Sequence, residues 1–285
     1  MTLSIAVLGT GTMGAPMACN LAAAGHDVRA WNRSADKAAP LAEHGVTIAD
    51  DPAAATRGAD VLLTMLYDLS SVEQVAPEAL AALPTGAVWL QMSTVGVTGA
   101  RALQTLAEEH GIAYVDAPVV GTKAPAEQGK LVVLASGPAD ARTVADQVFD
   151  VVGARTIWVD GDASALKLVV NNWVLTLIEG LAESITLAEA AGLDPQLFLD
   201  TIKGGPTDTP YAQLKGAMML ARDFPPSFAL AGALKDADLV LELAAETGVE
   251  LAVTQGVRGH LARAVDLGHG DEDMAATWHA HSPTS

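Results

Sequence analysis

The chain has 285 residues, with 16 Lys and Arg against 34 Asp and Glu, for a formal net charge of −18. An excess of negative charge on that scale repels nucleic acid and anionic membranes, whose recognition needs clustered cations, so neither is expected as a partner. Half of the residues are hydrophobic and only 4% aromatic, a balance that suits parallel strands packed on helices, at a length that admits two domains.

In chain order, the apolar run from Ser4 to Leu8 reads as a strand. It ends in Gly9-Thr10-Gly11-Thr12-Met13-Gly14 and opens into a helical stretch from Ala15 to Ala24. Gly-x-Gly-x-x-Gly between a strand and a helix predicts a dinucleotide site. Gly9 permits the tight turn, Gly11 lets the backbone approach a pyrophosphate, and Gly14 lets the helix pack close to the strand. The helix N-terminus offers free N–H groups to the phosphates. The single cysteine, Cys19, falls inside this helix and reads as a small buried hydrophobe.

A second strand, Val28 to Trp31, follows Gly25-His26-Asp27, and its end decides which dinucleotide fits. An acidic residue there would accept hydrogen bonds from the ribose hydroxyls. This chain has Asn32 instead, followed by Arg33 and Ser34. A guanidinium and a hydroxyl pair with a 2′-phosphate that a carboxylate would repel, so the position predicts NADP(H) over NAD(H). A solvated loop arginine is the competing reading, and the missing acid at the same spot weighs against it.

Further strands are expected at 61–66, 87–92, 113–116 and 131–135, with a helix over 140–151. This alternation predicts a mostly parallel sheet with helices on both faces, a doubly wound domain over residues 1–160. From Ala163 the spacing is helical throughout. One long helix runs to Ala191 and is stopped by Gly192, with Asp194-Pro195 opening the next. Residues 161–192 are therefore expected as an interdomain helix and 193–285 as a smaller all-helical domain. The expected fold class is α/β, a Rossmann-type doubly wound parallel sheet followed by that helix and the helical domain. Asp238, Glu242 and Glu246 read as a solvated helix face, and residues 281–285 as a frayed end. The first strand begins without a basic leader and no run of 18 apolar residues is uninterrupted, so a soluble, cytoplasmic protein is expected.

Within the long helix, Lys167, Val170, Asn171, Val174, Leu175 and Ile178 fall on one face. A lysine on an apolar strip either snorkels from its edge or, if buried, becomes a proton donor with a pKa lowered toward neutrality. Taken alone, the strip favours snorkelling. Asn171, one turn on, is placed to hold the lysine or a substrate hydroxyl. His260, His269, His279 and His281 include a His-x-His pair, but carboxylate or cysteine partners at zinc spacing are not evident. They read as surface histidines, and no metal is expected.

Five segments, taken together, resemble the β-hydroxyacid dehydrogenase family over essentially the whole chain. They are Gly9 to Ala18 with Asn20-Leu21 and Gly25-His26; Met92-Ser93-Thr94-Val95; Asp116-Ala117-Pro118-Val119-Val120-Gly121-Thr122; Gly161 with Lys167 and Asn171; and Lys235-Asp236. The continuation Lys123 to Gly129 is in the style of the glyoxylate/succinic semialdehyde reductases. The resemblance implies an NAD(P)-dependent oxidoreductase for small aldehyde or keto acids, with Lys167 as proton donor and Asn171 beside it. It also implies that Ser93 and Thr94 lie by the nicotinamide ring, that Met65 and Leu66 line the cofactor site, and that Lys235 closes over the cofactor. Val120, Gly121 and Thr122, with Lys167 and Asn171, are expected to hold the substrate. In the family this loop is typically Ser-Gly-Gly or Ser-Gly-Ser. Val120 stands in place of the serine here, which removes a donor and points to a less polar semialdehyde or even a substrate that lacks the carboxylate.

An imine reductase is similar in the cofactor domain but usually carries another residue at the lysine position. A non-catalytic NADP(H)-binding sensor or scaffold is argued against by retention of both Lys167 and Asn171. Leu177, Leu181, Ile185 and Leu187 read as an apolar outer face of the long helix. With the resemblance, they imply a homodimer or a dimer of dimers.

Overall fold

The computed structural model describes residues 2–281. It divides into two compact units between Lys167 and Leu168, inside the long helix (Ala163–Ala190). The boundary between the units therefore falls within that helix. The first turn of the helix is tied to the sheet of the first unit, whereas its later turns supply the core of the second.

In the first unit, β1 (Ser4–Leu8), β2 (Asp27–Trp31), β3 (Thr47–Ile48), β4 (Val61–Thr64), β5 (Val88–Gln91) and β6 (Ala113–Asp116) form a parallel sheet. The strand order is β3-β2-β1-β4-β5-β6. Direction of winding reverses between β1 and β4, so a crevice opens at their C-terminal ends, where doubly wound sheets bind ligands. Side chains alternate across the sheet. Ile5, Val7, Leu63, Leu90 and Val115 pack with Met17, Leu21 and Phe149 on one face. Ala6, Leu8, Leu62 and Trp89 pack with Val72, Leu80 and Leu103 on the other. Burial on both faces explains why β4 and β5 read as continuous apolar runs.

The stretch 131–135, expected in this sheet, belongs to a second one. There β8 (Leu131–Ala135) pairs antiparallel with β7 (Val119–Val120) and parallel with β9 (Gly153–Trp158). Nothing in the sequence pattern marks β9 as a strand, because it is a partly exposed edge carrying Arg155 and Thr156. The second sheet matters for the site because β7 carries Val120.

The second unit packs the later turns of the long helix against helices Gln196–Ile202, Pro210–Ala221, Leu230–Thr247 and Ala252–Ala264 and the 3-10 turn Met274–Ala280. Its core joins Leu175, Ile178, Leu181 and Ile185 of the long helix to Leu199, Met219, Leu230, Val257, Leu261 and Met274. Leu181 and Ile185 are thus buried within the chain, contrary to the expected apolar outer face, because the following helices wrap that side. Leu187 is exposed, as are Val169 and Trp173. The long helix is also long and apolar enough to cross a membrane, but here its later turns supply the core of this unit. A buried ion pair, Lys215 Nζ to Asp273 Oδ1 at 2.6 Å, pins the 3-10 turn to helix Pro210–Ala221. Of the residues expected to fray, His281 is well packed, its side chain only 10% exposed; residues 282–285 lie outside the described residues.

Candidate active site

At the mouth of β1, Gly9 adopts φ +102°, and a Cβ there would stand 2.2 Å from the Met65 carbonyl oxygen. A Cβ on Gly14 would meet the Gly9 carbonyl oxygen at 2.0 Å, whereas one on Gly11 would meet nothing within 4 Å. Two glycines therefore hold the turn closed, and the third keeps a face of it open. Helix Gly14–Ala23 starts with no side-chain cap and no acidic residue in its first turn, so the positive end of its dipole is open to an anion, although the Ala15 and Met17 N–H groups are already taken by the Gly11 and Met13 carbonyls. Thr12 is exposed and Met13 half-buried beside that N-terminus. The Thr10 hydroxyl is buried without a partner in the turn. This cradle fits a dinucleotide pyrophosphate.

Asn32 has a role that the sequence reading did not give it. Its Oδ1 accepts the Thr10 N–H at 3.1 Å, and its Nδ2 donates to the Ser34 carbonyl at 3.0 Å. The carboxamide thus ties the glycine turn to the end of β2, and exposed Arg33 and Ser34 are left facing solvent. Ser93 is likewise a fastener. It is fully buried, and its Oγ accepts the Leu66 N–H at 2.9 Å and donates to the Thr64 carbonyl at 3.4 Å. This fixes Met65 and Leu66 against the glycine turn, with Thr94 half-buried next in sequence. The turn, Met65-Leu66 and Ser93 are brought together at the crevice between β1, β4 and β5.

In the loop after β7, Gly121 has φ +137°, and a Cβ there would press on Leu131 at 2.7 Å. Thr122 precedes the short helix Lys123–Glu127, and its hydroxyl does not cap that helix. Val120 and Thr122 are half-buried, Gly121 exposed. At the end of β6, Asp116 does what the motif alone did not reveal. Its Oδ2 accepts the Ser164 N–H at 2.7 Å and its Oδ1 the Ser164 hydroxyl at 2.9 Å. A carboxylate thereby clamps the N-terminus of the long helix, one turn before Lys167, where the helix dipole favours negative charge. Burial raises the Asp116 pKa to about 6, against the lowering effect of the two Ser164 hydrogen bonds.

Lys167 is half-buried and Asn171, one turn on, is buried. In the second unit, Asn171 Nδ2 donates to Asp236 Oδ2 at 2.7 Å, and Lys235 Nζ stands 3.0 Å from Asp236 Oδ1. A carboxylate only accepts, so the contact fixes which end of the Asn171 amide points where. Asp236, 3% exposed, was expected only as part of the Lys235-Asp236 segment, and its bond to Asn171 was not foreseen. The four histidines expected at the surface are partly buried, and each faces a glutamate: His260 and His281 face Glu179, His269 and His279 face Glu272.

Residues 4–161 match the family described as the NAD binding domain of 6-phosphogluconate dehydrogenase. Residues 161–280 match the one described as NAD-binding of NADP-dependent 3-hydroxyisobutyrate dehydrogenase. The chain belongs to the β-hydroxyacid dehydrogenase family. Like its family, it is an NAD(P)-dependent oxidoreductase. Glyoxylate/succinic semialdehyde reductase 2 of Arabidopsis thaliana is 32% identical over 96% of this chain and 78% of its own length. A probable 3-hydroxyisobutyrate dehydrogenase of Mycobacterium tuberculosis is 33% identical over 97% of both chains. A solved structure of 3-hydroxyisobutyrate dehydrogenase from Mycobacterium tuberculosis with L-serine superposes with a TM-score of 0.87 at 30% identity, covering 98% of this chain and 99% of that one. The expected family, fold class and enzyme class all hold.

Proposed function

We propose that this β-hydroxyacid dehydrogenase is an NADPH-dependent reductase of small aldehyde and keto acids of the glyoxylate or succinic semialdehyde type, reversible with 3-hydroxy acid oxidation. When bound, the reduced nicotinamide supplies a hydride to the substrate carbonyl carbon. The Lys167 ammonium gives a proton from Nζ to the carbonyl oxygen as negative charge develops there, leaving the neutral amine. In the reverse direction that amine takes the hydroxyl proton. Charge on the oxygen appears mainly in the transition state, so a donor fixed at that point lowers the barrier without tightening the ground state. Asn171, its amide oriented by Asp236, keeps a second polar group one turn from Lys167. The Gly121 and Thr122 N–H groups and the Thr122 hydroxyl take the substrate carboxylate, with Val120 as a methyl-bearing wall. Arg33 and Ser34 take the 2′-phosphate.

The observation that carries this reading is the Lys167–Asn171 pair on a helix whose first turn is clamped by Asp116. The Arabidopsis relative's name supports the substrate class. A panel of glyoxylate, succinic semialdehyde, other short aldehydes and a cyclic imine, followed by loss of NADPH absorbance, tests it. Turnover of the acid aldehydes is expected; turnover of the imine alone, or of nothing, would overturn it. Exposed Val169, Trp173 and Leu187 support a homodimer or dimer of dimers, against which a light-scattering mass near 29.2 kDa would count.

A further inference from the structure

In the second unit, Glu179 is a buried carboxylate, 4% exposed, with two imidazoles on one oxygen. Its Oε1 lies 2.5 Å from His281 Nε2 and 2.6 Å from His260 Nδ1. Only the His281 contact is a hydrogen bond. His260 Nδ1, despite its distance, is not aligned for one and is buried without a partner. The two rings meet edge to face, 4.3 Å apart at 64°, so their nitrogens converge on one point. The other oxygen of Glu179 accepts the Thr277 hydroxyl at 2.8 Å. Glu183, one turn along the helix, brings a fourth donor, and the four ligand atoms lie within 4.8 Å of one another.

We propose that Glu179, Glu183, His260 and His281 bind a first-row divalent cation, zinc being the best fit. Two imidazoles beside two carboxylates favour zinc and its neighbours over magnesium or calcium, which take oxygen. Donors bonded to zinc in a tetrahedron stand roughly 3.3 Å apart, so the histidine nitrogens need to spread by less than an ångström from Glu179. Four protein donors leave no open position, the mark of a structural site. Thr277 then serves as the outer hydrogen bond that orients a ligating carboxylate. The ion ties the end of the described chain to the long helix and to helix Ala252–Ala264. Sequence spacing hides the set because its members come from three elements far apart in the chain. The neighbouring group His269, Glu272 and His279 differs. Its rings stack face to face at 3.7 Å and 1°, which sets their nitrogens side by side rather than around a common centre, and it serves as the control.

The test uses the full chain, stripped with a chelator and titrated with zinc by calorimetry and with cobalt(II) by visible absorption. One ion per chain is expected, at micromolar affinity or tighter, with the intense cobalt band of a tetrahedral site and a raised thermal midpoint. His260→Ala and Glu183→Gln, each with unchanged circular dichroism, are expected to weaken binding at least tenfold, and His269→Ala to leave it unchanged. The cobalt spectrum needs no variant, so it decides even if a substitution disturbs folding. An octahedral cobalt spectrum, millimolar affinity, or an affinity indifferent to His260→Ala would overturn the proposal.

Discussion

Replacing Asp116 with Asn separates the clamp on the long helix from its charge. The carboxylate accepts two hydrogen bonds from Ser164, and both residues are buried at 5% and 3% exposure. Asn can keep both contacts, its oxygen accepting the Ser164 N–H and its amide donating to the Ser164 hydroxyl. What it removes is a buried ionisable group whose pKa stands at about 6 against an ordinary 3.8, chiefly through burial. Because the folded value is raised, the native state binds the proton more tightly. Stability from this group is therefore full at low pH and is lost as pH rises through 6. A shift of that size predicts a wild-type loss of about 1 kcal/mol between about pH 5 and about pH 7.5 that the Asn variant does not suffer. Asp116→Ala leaves two Ser164 donors without partners and is expected to cost about 2–4 kcal/mol. Urea unfolding of the three proteins across that pH range measures this. A wild-type-to-Asn difference that stays flat with pH would refute the raised Asp116 pKa, and an Ala variant as stable as wild type would refute the clamp.

Gly11→Ala meets open space and Gly14→Ala meets backbone. The first is expected to keep its thermal midpoint while losing NADPH affinity at least tenfold, and the second to lose both, with about 1–3 kcal/mol of destabilisation; calorimetry and thermal unfolding separate them. Arg33→Asp is expected to lower kcat/KM for NADPH at least tenfold, about 1.4 kcal/mol, while leaving NADH nearly unchanged. Steady-state kinetics with both cofactors checks this, and an equal loss with each would mean that Arg33 does not read the 2′-phosphate.

What could be read in the sequence was local. The glycine turn at Gly9 to Gly14 declares itself because strand, turn and helix are contiguous, and the Lys167–Asn171 pair because one helical turn joins them. What could not be read depends on elements distant in sequence. The Asp116 clamp on Ser164, the Asn171–Asp236 bond and the Glu179 histidines each join residues 48 or more apart. Ser93 and Asn32 were placed near the cofactor from motif position, but their hydrogen bonds make them fasteners of the loops around it. β9 was missed because an edge strand lacks the apolar run that marks a buried one. Leu181 and Ile185 were read as outward because periodicity gives the face of a helix but not the elements that cover it.

The central claim is that Lys167 delivers the proton to the reducing carbonyl. Lys167→Ala, assayed for turnover of the best acid aldehyde and, separately, for NADPH dissociation constant, tests it most directly. A general acid contributes about 10²–10⁴ in rate, so kcat is expected to fall by about that factor while NADPH affinity changes by less than about threefold. Near-normal kcat in that variant, or a loss confined to cofactor binding, would contradict the account.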